Sequence, residues 1–357
     1  MKLCKEEKSA LALPRAVASM LAAAWIGCLA LPAGASDDSS PPGQATNNAS
    51  PPYEVRVGYL IPSNRSPQPN GIANLQAGVS SVRSWYAEQM DRFGFGPKTF
   101  NIETEADGVT PRVHVLNLPQ TDDFYRPDLW GRGLQAASDG GLGIWAKGEV
   151  WILVNEAHVQ SPDGSITGGF AGGVGIRANY TGTALMGSDF IPRVHPVNLT
   201  DTRPYDGLII PEIGPHPLVE NVSYPWFMRT TISSISSTAE GALAHELGHA
   251  LGLPHDVRND ENFHGNLMFN GLRGFRGSLR PDLFPEDDMR LEYASALAMN
   301  DSRLFNDPGT NYTDDTAPSI QVLTTGAVDP VDGHLRVEFS TSDNPSVAEI
   351  SLSEGLV

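Results

Sequence analysis

One stretch restricts this chain more than any other: His245-Glu246-Leu247-Gly248-His249-Ala250-Leu251-Gly252-Leu253-Pro254-His255. As a pattern it is H-E-x-x-H-x-x-G-x-x-H, three imidazoles, a carboxylate and a glycine at fixed offsets. The first half works only on a helix, where residues four apart lie one turn above each other, so His245 and His249 converge on one point. Glu246 projects from the neighbouring flank, within reach of a water held at that point. Gly252 is where the helix should stop, because a residue without Cβ adopts the left-handed conformation that turns the chain. Pro254 blocks resumption of the helix, and the reversal carries His255 back to the same centre. Three neutral imidazoles leave the fourth position of a tetrahedral ion open to water, the mark of a catalytic rather than a structural site, and zinc is the expected metal. A closed structural site would need a fourth protein ligand, for which His264 is the nearest candidate. The remaining histidines, His114, His158, His195, His216 and His334, are expected to be structural or surface residues.

The start of the chain bears on where such a site would work. Lys2, Lys5, Lys8 and Arg15 precede an apolar run from Ala16 to Leu31, then Ala33-Gly34-Ala35 and an acidic Asp37-Asp38. This is the form of a secretory signal peptide over residues 1–35, cut after Ala35. The run is short for a retained membrane span and is followed by acid rather than base, so no span is expected in the mature chain. Trp25-Ile26-Gly27 before Cys28 is a poor lipoprotein site. Cys4 and Cys28 both lie in the removed segment, so the mature chain is expected to lack disulfides and thiolate ligands. Cleavage removes four positive and two negative charges, which takes the formal net charge from -18 to -20. Such acidity argues against nucleic acid and anionic membranes as partners and suits an exported protein. Residues 36–52, rich in Ser, Pro, Asn and Asp, read as a flexible linker too short to be a folded inhibitory pro-segment.

From Tyr53 the patterning changes. Tyr53 to Tyr59 alternates as a half-buried strand. Leu75, Val79, Val82, Tyr86 and Met90 recur at helical spacing, predicting an amphipathic helix that ends near Gly94. Thr99 to Glu103 and Val113 to Leu118 are expected to be strands around an Asp107-Gly108 turn. Glu149 to Asn155 is a continuous apolar run expected at the centre of a sheet. Gly164 to Gly175 reads either as an irregular loop or as an edge strand above the metal cleft, along which a peptide substrate would pair backbone to backbone. Residues 176–221 have no assignable pattern. Ser237-Thr238-Ala239-Glu240 has the capping-box form, which predicts an active-site helix from Ser237 to about Leu251.

The eleven-residue motif, with Gly265-Asn266-Leu267-Met268-Phe269-Asn270 after it, resembles the metzincin zinc endopeptidases. The second segment is similar to the Met-turn that those enzymes place beneath the metal. The resemblance implies that His245, His249 and His255 bind zinc, that Glu246 is the catalytic base and that Met268 supports the floor of the site without touching the metal. Asp256 after the third histidine resembles the adamalysin branch, where that residue is structural. Asn270 stands where astacins and serralysins carry a tyrosine ligand, and the mature chain lacks the cysteines of adamalysins and of the matrixin switch, so the branch stays open. In such enzymes the loop carrying Arg273, Arg276 and Arg280 borders a substrate pocket. A solvated basic loop is the simpler reading, and selection of an acidic substrate side chain by Arg276 is the alternative. Residues 259–262 form an acidic loop that could hold Ca2+, although their spacing matches no recognised cage. Asp287 to Met299 reads as the closing helix.

From residue 313 the composition shifts again. Ile320 to Leu323, Leu335 to Phe339 and Ala348 to Leu352 alternate as strands, and the run from Asp315 resembles the opening of a bacterial immunoglobulin-like module, incomplete at three strands. The expected organisation is thus a signal peptide (1–35), a linker (36–52), an α+β metzincin-like domain with a twisted mixed sheet (53–312) and the start of a β-sandwich module (313–357). The expected function is a secreted zinc metalloendopeptidase that acts on protein or peptide substrates. An extracellular adhesion or carbohydrate-binding protein on the same scaffold, without proteolysis, is the alternative.

Overall fold

The computed structural model describes residues 51–161, 166–203, 231–256, 265–269, 271–285, 287, 289–307, 319–328 and 335–342. The expected signal peptide and most of the linker, His216, His264, His334, the acidic loop at 259–262 and the strand expected at Ala348 to Leu352 lie outside these residues.

The chain forms β1 (Glu54–Ile61), α1 (Gly71–Arg92), β2 (Val113–Asn117), α2 (Asp122–Tyr125), α3 (Leu129–Asp139) and β3 (Glu149–Asn155). There follow β4 (Val159–Gln160), β5 (Ile166–Thr167), β6 (Ala171–Ile176), β7 (Thr181–Gly187) and α4 (Ile232–Ala250). The last elements are α5 (Phe275–Leu279), α6 (Tyr293–Asn300), β8 (Ser319–Val328) and β9 (Leu335–Ser342). Five strands form one sheet in the order β2-β1-β3-β7-β6. The first four are parallel, and β6 runs antiparallel to β7 at the edge. The architecture is therefore mixed α/β with a mostly parallel sheet, of the general kind expected.

Helices cover both faces of the sheet, which explains why β3 reads as an unbroken apolar run. Alternate side chains of β3 go to opposite faces. Val150, Ile152 and Val154 join Leu75, Val79, Val82 and Tyr86 of α1 and Leu243, Ala244 and Leu247 of α4 in one core. Trp151 and Leu153 join Leu129, Leu134 and Ala137 of α3 in the other. The same two-sided cover hides β7 from a search for alternation: all seven residues of Thr181–Gly187 are buried, and the glycines at positions 182 and 187 break any β-rich run. That strand lies in the segment without an assignable pattern. For the glycine-rich stretch the edge-strand reading is the one found, as β6.

Four expectations need correction. Thr99 to Glu103 is not a strand; it makes one bridge, Ile102 with Val55, and its backbone hydrogen bonds are divided between Val55 of β1, Arg112 and, through Asn101 N–H at 2.7 Å, Leu304 O of the carboxy-terminal turn. The expected Asp107-Gly108 turn is present, with Glu105 N–H on Thr110 O, but only the single Thr104–Pro111 bridge closes it, and β2 beyond it pairs in parallel with β1. The active-site helix starts at Ile232, not Ser237. Thr231 and Ser234 make its capping box, whereas Ser233 and Ser237 donate their hydroxyls to Leu199 O and Arg273 O of neighbouring segments. The closing helix begins at Tyr293 rather than Asp287, because the preceding residues are held extended: Leu291 N–H donates to Gln89 Oε1 at 2.9 Å, and Arg290 bridges Asn266.

β8 and β9 form an antiparallel hairpin, and no third strand joins it among the described residues. Among those residues no helix is long and apolar enough to cross a membrane.

Candidate metal centre

The end of α4 builds most of the site. Leu251 caps the helix and Gly252 takes φ +90°. Gly252 N–H bonds His249 O and Leu253 N–H bonds Gly248 O, both at 2.9 Å, which is the Schellman pair of bonds. This closure also aims a ligand, since Leu253 O, turned back by the reversal, lies 2.8 Å from His249 Nδ1. His245 Nδ1 finds Leu267 O at 2.6 Å, in the turn that carries Met268. A carbonyl only accepts, so each Nδ1 carries the proton and each Nε2 presents a lone pair.

Those lone pairs face a common point. Nε2 of His249 is 3.1 Å from that of His245 and 3.0 Å from that of His255, and the third separation is 3.3 Å. Nitrogens about 2.0–2.1 Å from a tetrahedral ion stand about 3.3 Å apart, so the spacing fits three imidazoles around one zinc-sized cation. Among the described residues this is the one His, Cys, Asp or Glu group arranged to hold a metal. Burial drives all three rings toward the neutral form a ligand needs. His245 is pushed down to about 3, chiefly by burial, with His249, His255 and the Arg273 guanidinium adding to the effect. His249 is pushed down to about 4 by burial. His255, the most solvent-exposed of the three, is lowered in the same way. The half-buried Glu246 carboxyl is pushed up to about 7, again by burial.

Below the triad, Met268 is fully buried, and its Sδ would lie 2.5 Å from a Cβ placed on Gly248. Asn266 holds that turn: its Oδ1 accepts from Met268 N–H at 2.8 Å and its Nδ2 donates to Asp256 at 2.7 Å. Asp256 N–H in turn bonds Met268 O at 3.2 Å, tying the residue after the third histidine to the floor. Tyr86 of α1 donates to Ala244 O at 2.9 Å. Gly248, Asn266 and Tyr86 were not singled out as site residues by the motif. For Asn266 the available signal was its place two residues before Met268; Tyr86 carried only a core pattern.

Above the triad lies the sheet edge. A Cβ on Gly173 of β6 would come within 2.2 Å of Glu246 O, and one on Gly175 or Gly182 would come equally close to Ala250 O or closer. These glycines let α4 rest directly on β6 and β7, which places Glu246 and His249 against the edge strand.

Arg276 is neither solvated nor part of a pocket. It is 1 % exposed, bonds Asp287 at 2.6 Å and Ser233 at 3.1 Å, and lies over the Phe284 ring, so it pins α5 to the start of α4. Arg280 pairs with Asp282 at the surface. The other described histidines are structural, as expected: His114 pairs with Glu103, His158 with Ser188, and His195 accepts from Val197 N–H. A cavity of about 420 Å³ beside α3, lined by Phe124, Arg132 and Gln135 among others, contains no residue of the triad.

No family model matches the sequence, and no curated protein does. Among solved structures the chain is similar to wild-type OgpA from Akkermansia muciniphila in two crystal forms, each with 17 % identity over 76 % of this chain and 67 % of that one, with TM-scores of 0.48 and 0.47. It is also similar to catalytically inactive OgpA from the same organism in complex with an O-glycopeptide (glycodrosocin) substrate, with 16 % identity over 76 % of this chain and 66 % of that one and a TM-score of 0.49.

Proposed function

We propose that this chain is a secreted zinc-dependent metalloendopeptidase in which Glu246 is the general base. The observation that carries the proposal is the convergence of three Nε2 atoms to within 3.0–3.3 Å of one another, with Glu246 following His245 on the helix that supplies two of them. His245, His249 and His255 would hold the ion. When bound, zinc supplies Lewis acidity toward a peptide carbonyl and a water with its pKa lowered to about 7. Glu246, next to His245 on the same turn of helix, would accept a proton from the attacking water and pass it to the leaving amine. Leu267 O and Leu253 O fix the imidazole tautomers, and Met268 keeps the floor dry. The peptide lies extended along β6, whose glycines bring its backbone next to Glu246.

The test pairs a chelator with Glu246→Ala. Mature protein should cleave a denatured protein substrate, lose that activity to the chelator and regain it with zinc, while the variant binds zinc and cleaves nothing. Stoichiometric zinc with no cleavage of a broad peptide library by the native protein would favour the adhesion alternative. Activity that survived Glu246→Ala would remove the assigned base.

A further inference from the structure

The phase of hydrogen bonding on β6 separates its residues into two sets. Gly187 N–H donates to Phe170 O at 2.7 Å, just before the strand begins. Bonded and non-bonded pairs alternate along an antiparallel ladder. With the register Gly172 to Leu185 and Val174 to Thr183, positions 172, 174 and 176 use their backbone groups on β7. Ala171, Gly173 and Gly175 therefore turn their N–H and C=O to the outer edge. Among the described residues no strand pairs with that edge. It runs past Glu246 and His249, as the approach of Gly173 to both residues requires.

The side chains of the first set go to the face away from α4. Phe170, Val174 and Ile176 are exposed by 37, 42 and 47 %, although each is a large apolar residue. Between Phe170 and Val174 stands Gly172, and the space above it is filled by the Phe170 ring and by Trp130 of α3, whose centroids lie 5.9 Å apart. α3 covers Leu153 of β3 and Leu185 of β7 but leaves the apolar row of β6 open. An open backbone edge and an apolar row on one strand, continuous with the metal centre, match the two demands of an extended peptide. Its backbone needs pairing partners, and every second side chain falls on the face of the strand opposite α4.

We infer that Phe170, Val174 and Ile176, with Trp130 behind Phe170, are specificity-determining residues: an apolar shelf that receives alternate side chains of a peptide paired along β6. The site thereby selects chains with apolar or aromatic residues at every second position. This rests on the peptidase reading for its cleavage readout, and a binding readout keeps the two separable.

The experiment compares the zinc-loaded wild-type protein with Val174→Lys and Phe170→Ala on a positional peptide library. In parallel, binding of a labelled extended peptide with alternating apolar residues is measured on Glu246→Gln, with and without Val174→Lys. Both shelf positions are exposed, and unchanged thermal melting checks that the variants fold. Wild type should prefer apolar residues at positions spaced by two. Each shelf variant should lose about tenfold in kcat/KM on those peptides through KM, with kcat kept, and Val174→Ile should restore it. An unchanged ranking in Val174→Lys overturns the shelf and leaves the peptidase. Absence of cleavage together with Val174-dependent binding keeps the shelf and removes the peptidase, and absence of both removes both.

Discussion

At the scale of single residues, the glycine between the first two ligands shows what a motif carries and what it leaves out. His245, His249, Gly252 and His255 were legible because the helix dictates the first offset and the reversal that ends it dictates the others, and α4 with its Gly252 turn brings the three rings together. Gly248 was silent, because its reason lies twenty residues on, where Met268 Sδ occupies the space its Cβ would need. Gly248→Ala should therefore displace Met268 and tilt the neighbouring ligands. Overpacking of this kind costs about 1–3 kcal/mol. Zinc titration and urea unfolding of the variant should show weaker metal binding together with that loss; unchanged values in both would mean that the floor yields freely. Arg276 teaches the opposite lesson. A basic loop looks solvated in sequence, yet this guanidinium is buried against Asp287 and Phe284. Breaking a buried pair from one side costs about 3–5 kcal/mol, so Arg276→Met should lower stability by that order while leaving the ranking of acidic against neutral substrates as it was. A changed ranking would restore the pocket role.

At the scale of elements, α4 is the least ordinary helix in the molecule. Its first half is lined with buried serines that bond carbonyls of other segments, and this misled the reading of its start: a serine run resembles a cap whether its hydroxyls serve their own helix or a neighbour. Glu240 lies in the same half, fully buried, with the Ser81 hydroxyl of α1 facing its carboxyl. Burial pushes its carboxyl up from 4.5 to about 8, and Ser81 offsets this only in part. The sign of the linkage follows. Between these values the folded state holds a proton that the unfolded state has released, so this group's contribution is fully present below about pH 4.5 and is lost as pH rises through about 8. Within the window the slope is at most about 1.4 kcal/mol per pH unit. Denaturant unfolding from pH 5 to 9 should show wild-type stability declining relative to Glu240→Gln, the two curves running parallel above the window. Curves parallel throughout would mean that Glu240 is ionised in the fold.

At the scale of the whole molecule, the parts that could be read from sequence and the parts that could not divide by who satisfies the backbone. α1 and β3 announce themselves through their own periodicity and apolar content. β7, the start of α6 and the segment around Asn101 do not, because their hydrogen bonds and cover come from elements distant in sequence: α4 and α3 for β7, Gln89 for Leu291, and Leu304 for Asn101. The metal centre joins the same distant pieces, since α4, the Leu253 reversal and the Met268 turn are brought together at the three imidazoles and the carbonyls that orient them. An ion that binds the folded site and not the open chain stabilises the whole by RT ln(1 + [L]/Kd), about 4 kcal/mol at a thousandfold excess over Kd. Chelation should then lower Tm markedly, and zinc should raise it again in the native chain and in Glu246→Gln alike, because that variant keeps every ligand. His249→Ala should melt at the chelated value with or without zinc. A Glu246→Gln protein that keeps the full zinc-dependent shift yet cleaves nothing would separate the residue that moves the proton from those that hold the ion. A shift lost in that variant would make Glu246 a ligand and put the division of roles in the wrong place.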